Sequence, residues 1–191
     1  EQAAVAAAEE TREYPTIGQP DRDMDQPRAN AWAYGGLFTV TLATMMYETL
    51  LTRIFSVTMW YHFAFMAVSV ALFGMTLGAV LVYLLPRTFT PERALRQMSW
   101  SALGFAVTLL LSFLTHLSIP FSTDRVLNLN LSVIDVYSLV LTYAVLAIPF
   151  TFSGICVCLA MTKFSRQVSR LYAADLAGAA LGCVVLIVLL K

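Results

Sequence analysis

Two carboxylates and a run of hydroxyls stand in otherwise apolar sequence, and these are the side chains with chemistry to offer. Thr41, Thr44, Glu48, Thr52 and Ser56 recur at steps of three and four, so on a helix they share one face. Glu48 falls near the middle of its apolar stretch, where an unpaired carboxylate is costly and calls for a proton, a hydroxyl or a cation. Arg53 is five residues on, about 140° round a helix, and is a poor direct partner. Glu48 is therefore the candidate for holding a cation, with Thr44 and Thr52 beside it. Asp175, close after Tyr172 and Arg170, forms a second candidate group with that tyrosine. A carboxylate in the first turns of a helix is also favoured by the helix dipole, so a structural reading of Asp175 stands beside the functional one.

The remaining reactive residues give less. His62 and His116 lack a second ligand at metal spacing, and no metal site is expected. Cys156, Cys158 and Cys183 all lie in apolar sequence and read as packing residues. There is no phosphate-binding loop, no dinucleotide fingerprint and no nucleophile with a base, so no catalytic residue is assigned.

Five apolar stretches must position these groups: roughly 34–58, 61–85, 98–119, 134–162 and 171–190. About 20 apolar residues suffice to span the hydrocarbon of a bilayer. The expected fold is all-α, a polytopic helical membrane protein with five transmembrane helices and the lipid bilayer as its first partner. Composition agrees, with 59% hydrophobic and 13% charged residues. Residues 1–33 differ in kind, carrying seven acids against three bases and Pro15, Pro20 and Pro27; they read as an acidic tail ahead of a 34–191 membrane domain. No basic region preceding a short apolar core marks them as a signal peptide. Nor is any region basic enough to point to nucleic acid.

Charge also orients the chain. With the N-terminus cytoplasmic, nine basic residues fall inside and only Arg53, Arg125 and Lys191 outside, which satisfies the positive-inside rule. Trp32, Tyr34, Trp60, Tyr61, Trp100 and Tyr172 fall near the expected interfaces. The connection 120–133 reads as an ordered outer loop. Pro149, inside the fourth stretch, is expected to kink its helix.

Small residues predict the packing. Gly74 and Gly78 in the second stretch, and Gly178 and Gly182 in the fifth, form Gly-x-x-x-Gly faces that let helix backbones approach closely. The two segments align without gaps in stretches of opposite direction. An inverted three-plus-three repeat has this pattern, and it implies a sixth helix after Lys191.

Tyr47-Glu48 followed by Arg53, and the run from Ser169 through Leu171, Tyr172, Ala174, Asp175 and Gly178 to Gly182, resemble the membrane region of spermidine synthase-like bacterial proteins. The resemblance covers about 34–190. The family often carries Asn in place of Asp175 and a tryptophan in place of Leu51 or Thr52. It implies a membrane module in the bacterial cytoplasmic membrane that anchors or gates an aminopropyltransferase-type domain. That domain, with its decarboxylated S-adenosylmethionine and polyamine, has no counterpart in these residues, so no cofactor is expected here unless such a domain follows. Two other readings remain open. One is a structural subunit that docks further membrane subunits, or copies of itself, through its glycine faces. The other is part of a transporter for cations or amines, with Glu48 and Asp175 as ion sites and Pro149 as a hinge.

Overall fold

The structure, a computed structural model, describes residues 29–58, 64–118 and 133–191. Five long helices account for nearly all of them: α1 (Ala31–Thr58), α2 (Ala64–Leu84), α3 (Ala94–Ser118), α4 (Val133–Lys163) and α5 (Val168–Leu189). Each expected apolar stretch coincides with a helix, with α1, α3 and α5 each beginning a few residues earlier than the stretch. The expected acidic tail through residue 28, His62, Trp60, Tyr61, Arg125 and most of the 120–133 connection lie outside the described residues, as do the side chains of His116 and Asp135.

Local signals explain the boundaries. Pro86 stops α2, because the residue before a proline is pushed out of helical geometry. Thr90 is extended, and Pro91 then opens a short 3-10 turn, Pro91–Arg93, that leads into α3. The Gln97 amide donates back to the Thr88 carbonyl and ties this connection to the first turns of α3. A second 3-10 turn, Ser165–Gln167, joins α4 to α5, and the buried ring of Phe164 pins it. The Gln167 side-chain carbonyl accepts from the Ala29 amide at 3.1 Å and from the Tyr34 hydroxyl at 2.9 Å. The start of α1 is thereby fastened to the start of α5.

Among the described residues, four helical segments are long and apolar enough to cross a membrane: Ala64–Leu84, Pro91–Thr115, Val140–Lys163 and Ser165–Leu189. α1 is not one of them. It has the length, at 28 residues, but six threonines, Glu48 and Arg53 hold down its apolarity. The outer surface is strongly apolar, with Phe65, Leu72, Phe73, Leu110, Val188 and Leu189 all more than 60% exposed. An apolar surface on this scale marks a chain that meets lipid or partners.

α4 is the central helix. It packs along α2 on one side and α3 on the other, while α5 packs along α1. α1 also touches α4 and α2, both far more lightly than it touches α5. The glycine faces set the two closest pairs. A Cβ added at Gly74 would fall 2.6 Å from Phe150 Cβ and 2.7 Å from the Ala147 carbonyl, and one at Gly78 would strike the Thr151 carbonyl. Gly154 of α4 meets the backbone of Met75 in the same contact. On the other side, a Cβ at Gly178 would lie 2.5 Å from the Phe38 carbonyl, and one at Gly182 2.5 Å from the Leu42 carbonyl. Without hydrophobic drive between helices in lipid, backbone proximity of this kind is what dispersion packing requires.

Pro149 does not break α4. The helix runs unbroken from Val133 to Lys163, with the proline fully buried. Arg87, Arg93, Arg96, Lys163, Arg166 and Arg170 follow or precede helix ends at the end of the bundle where α1 begins. Arg53 and Lys191 belong to the opposite end.

Candidate functional site: a polar line on α1

The residues that carry chemistry converge on α1. Three of its side chains, spaced by three, each bond to a different helix. The Thr41 hydroxyl donates to Asp175 Oδ1 of α5 at 2.7 Å. Thr44 and Ser153 of α4 share a hydroxyl–hydroxyl bond of 2.7 Å. The Tyr47 hydroxyl and Ser112 of α3 are 3.1 Å apart. A step of three turns the side chain back by about 60° on a 3.6-residue helix, so the three point in successive directions and fan out to three neighbours. The Tyr47 ring also stacks on Phe150, with centroids 5.5 Å apart.

Threonine is suited to this position because its hydroxyl can be satisfied by its own helix. Thr44 and Thr52 donate to the carbonyls of Val40 and Glu48 at 2.7 and 2.8 Å, and the single Thr41 proton is shared between Asp175 Oδ1 and the Leu37 carbonyl at 2.8 Å. A hydroxyl bonded to the i−4 carbonyl costs little in an apolar bundle and keeps its oxygen free to accept. Thr41, Thr44, Ser112 and Ser153 are all buried.

The expected single face therefore turns as it rises. Thr41 and Thr44 are buried, Glu48 and Thr52 are half-buried, and Ser56 is exposed. Glu48 follows one turn after Thr44, and its carboxylate has no hydrogen bond or ion pair among the described residues. Of the proposed binding residues, Thr44 and Asp175 are thus drawn into interhelical bonds and Thr52 bonds back to the Glu48 backbone, while the Glu48 carboxylate and the exposed Tyr172 hydroxyl have no hydrogen bond among the described residues. Tyr172 is 55% exposed and is not brought to Thr41 or Asp175 by any hydrogen bond.

Ser112 carried no signal in the sequence. A mid-span serine is common, and only the buried Tyr47 hydroxyl, which needs a partner, would have prompted a search for one. The glycine faces are also placed differently from the docking reading. Gly74, Gly78, Gly178 and Gly182 are consumed inside this bundle and offer no surface to another subunit. Cys156 is buried among Phe105, Leu159 and their neighbours, and among the described residues no cluster of His, Cys, Asp and Glu is placed to hold a metal ion. Comparison with known proteins finds no matching family model and no curated protein or solved structure of significant similarity.

Proposed function

We propose that this chain is an integral membrane module, of the spermidine synthase-like kind, that holds an organic cation at Glu48. All five helices cross the bilayer in this reading, α1 included, and the N-terminus is cytoplasmic in a bacterial inner membrane. The observation that carries it is Glu48 itself. Thr41, Thr44 and Tyr47 are each committed to a partner on another helix, and the next polar group along α1 is a half-buried carboxylate with none among the described residues. An intramembrane carboxylate of this kind is by default a site for a cation or a proton. The six bases assigned to the end where α1 begins support the orientation. α1 crosses despite its polarity because its hydroxyls are satisfied within the bundle, on its own helix and on α3, α4 and α5.

The test is spermidine binding to the chain in lipid nanodiscs, comparing wild type with Glu48→Gln and with Thr52→Val as a neighbour control. Loss of binding in Glu48→Gln, with thermal stability retained, is the expected result. Equal binding by Glu48→Gln and wild type would remove the carboxylate from the site and leave the module as an anchor alone.

A further inference from the structure

The packing contains an internal two-fold relation that the chain only partly fills. Gly74 and Gly78 recur 104 positions later as Gly178 and Gly182. The backbones they touch recur as well: Gly178 meets Phe38 and Gly182 meets Leu42, while Gly74 meets Ala147 and Gly78 meets Thr151. Phe38 and Ala147, and Leu42 and Thr151, are each 109 positions apart. The same interval relates Tyr34 to Tyr143 and the buried Leu37 to Leu146. It also relates Thr44 to Ser153, and these two touch each other at 2.7 Å across the crossing of α1 and α4. A residue that contacts its own counterpart must lie beside the axis that exchanges the two. α1 thus maps onto α4 and α2 onto α5, in opposite directions, as in an inverted repeat.

The relation assigns α3 a counterpart. α3 packs along α4, where Gly104 receives the ring of Phe152. The residue 109 positions before Phe152 is Ala43, half-buried on a face of α1 that the described helices leave partly open. A groove of about 770 Å³ runs there, lined on α1 by Gly35, Gly36, Thr39 and Ala43 and on its far wall by Ala102 and Ala106 of α3. A Cβ added at Gly35 or Gly36 meets nothing within 4 Å, in contrast with the glycines of α2 and α5. This open face belongs to the one long helix too polar to count as a membrane span by its own composition.

We propose that this groove receives a sixth membrane-spanning helix, antiparallel to α1 and standing to it as α3 stands to α4. The occupant is an apolar transmembrane helix. It would complete two groups of three helices about the Thr44–Ser153 axis and cover the Gly35–Gly36 surface, where backbone approach is possible. α3 would touch it across the axis through Ala102 and Ala106.

The experiment is photo-cross-linking in the native membrane, with p-benzoylphenylalanine placed separately at Trp32 and Thr39. These groove positions are about 10 Å apart along α1. Adducts on an apolar helix outside Glu1–Lys191, with the two probes reaching it in reverse order, are the expected result. A Gly36→Leu substitution should abolish both adducts while leaving the purified chain at least as thermally stable as wild type. Adducts to lipid alone, or to α1–α5 of a second copy, overturn the proposal.

Discussion

Replacing glycines by alanine separates the packed positions from the open ones and tests the helix pairing directly. At Gly74 the new methyl would fall 2.6 Å from Phe150 Cβ, against an ordinary contact beginning at 3.4 Å. The obstacle is helix backbone and a Cβ, which cannot rotate away, so α2 and α4 must part by about 0.8 Å along this contact, an overpacking that costs about 1–3 kcal/mol. Against this stands a gain of up to about 1 kcal/mol from the better helix propensity of alanine. The net loss for Gly74→Ala or Gly178→Ala is then about 0–2.5 kcal/mol, by the difference of these two effects. At Gly35 or Gly36 nothing lies within 4 Å, so only the propensity gain of about 0.5–1 kcal/mol remains. Reversible unfolding of the purified chain in mixed micelles, followed by helicity, measures both classes. If Gly74→Ala and Gly178→Ala gain stability as Gly35→Ala does, or Gly35→Ala is as damaging as either, the assigned contacts of α2 with α4 and α5 with α1 are wrong.

Other outcomes follow from the polar line. A double-mutant cycle on Thr44→Ala and Ser153→Ala should give a coupling of about 0.6–1.7 kcal/mol, the range for interhelical hydrogen bonds in membranes, and a coupling of zero would remove the bond. Asp175→Asn should retain most of the stability because an amide oxygen still accepts from Thr41, whereas Asp175→Leu should lose about 0.5–1.5 kcal/mol by the same unfolding assay. Timed maleimide labelling read by mass spectrometry should modify the half-buried Cys158 and Cys183 before the buried Cys156. Tyr47→Phe should destabilise wild type but not a Ser112→Ala background.

The helices were legible because lipid imposes a coarse rule. A span must be long and apolar, and α2, α4 and α5 answer to length and composition with boundaries within three or four residues. The glycine faces were legible as well, since Gly74 and Gly178 stand at four-residue spacing from Gly78 and Gly182. Their partners were not, because any apolar backbone accepts a glycine face and nothing in the sequence selects Phe38 or Ala147. The same limit hid Ser112 and Ser153, whose bonds depend on which helices become neighbours. α1 shows the converse. Its polarity, read as a functional stripe, is largely used for structure: Thr41, Thr44 and Tyr47 join α1 to α5, α4 and α3. Glu48, with no partner among the described residues, is left over for another role.

The pairing also fixes an order of events during synthesis. α1 emerges first, yet its closest partner is α5, and Thr41 lies 134 positions ahead of the Asp175 it bonds. At about 5–20 residues per second, roughly 7–27 s pass between translation of the two. Throughout that interval the least apolar helix of the chain has neither its carboxylate partner nor the glycine surface that covers it. α2 waits likewise for α4, so the early hairpin is held only by the lighter contact between α1 and α2. Closure of this bundle is thus delayed, with α1 waiting for α5 before its polar bond and its closest packing can form.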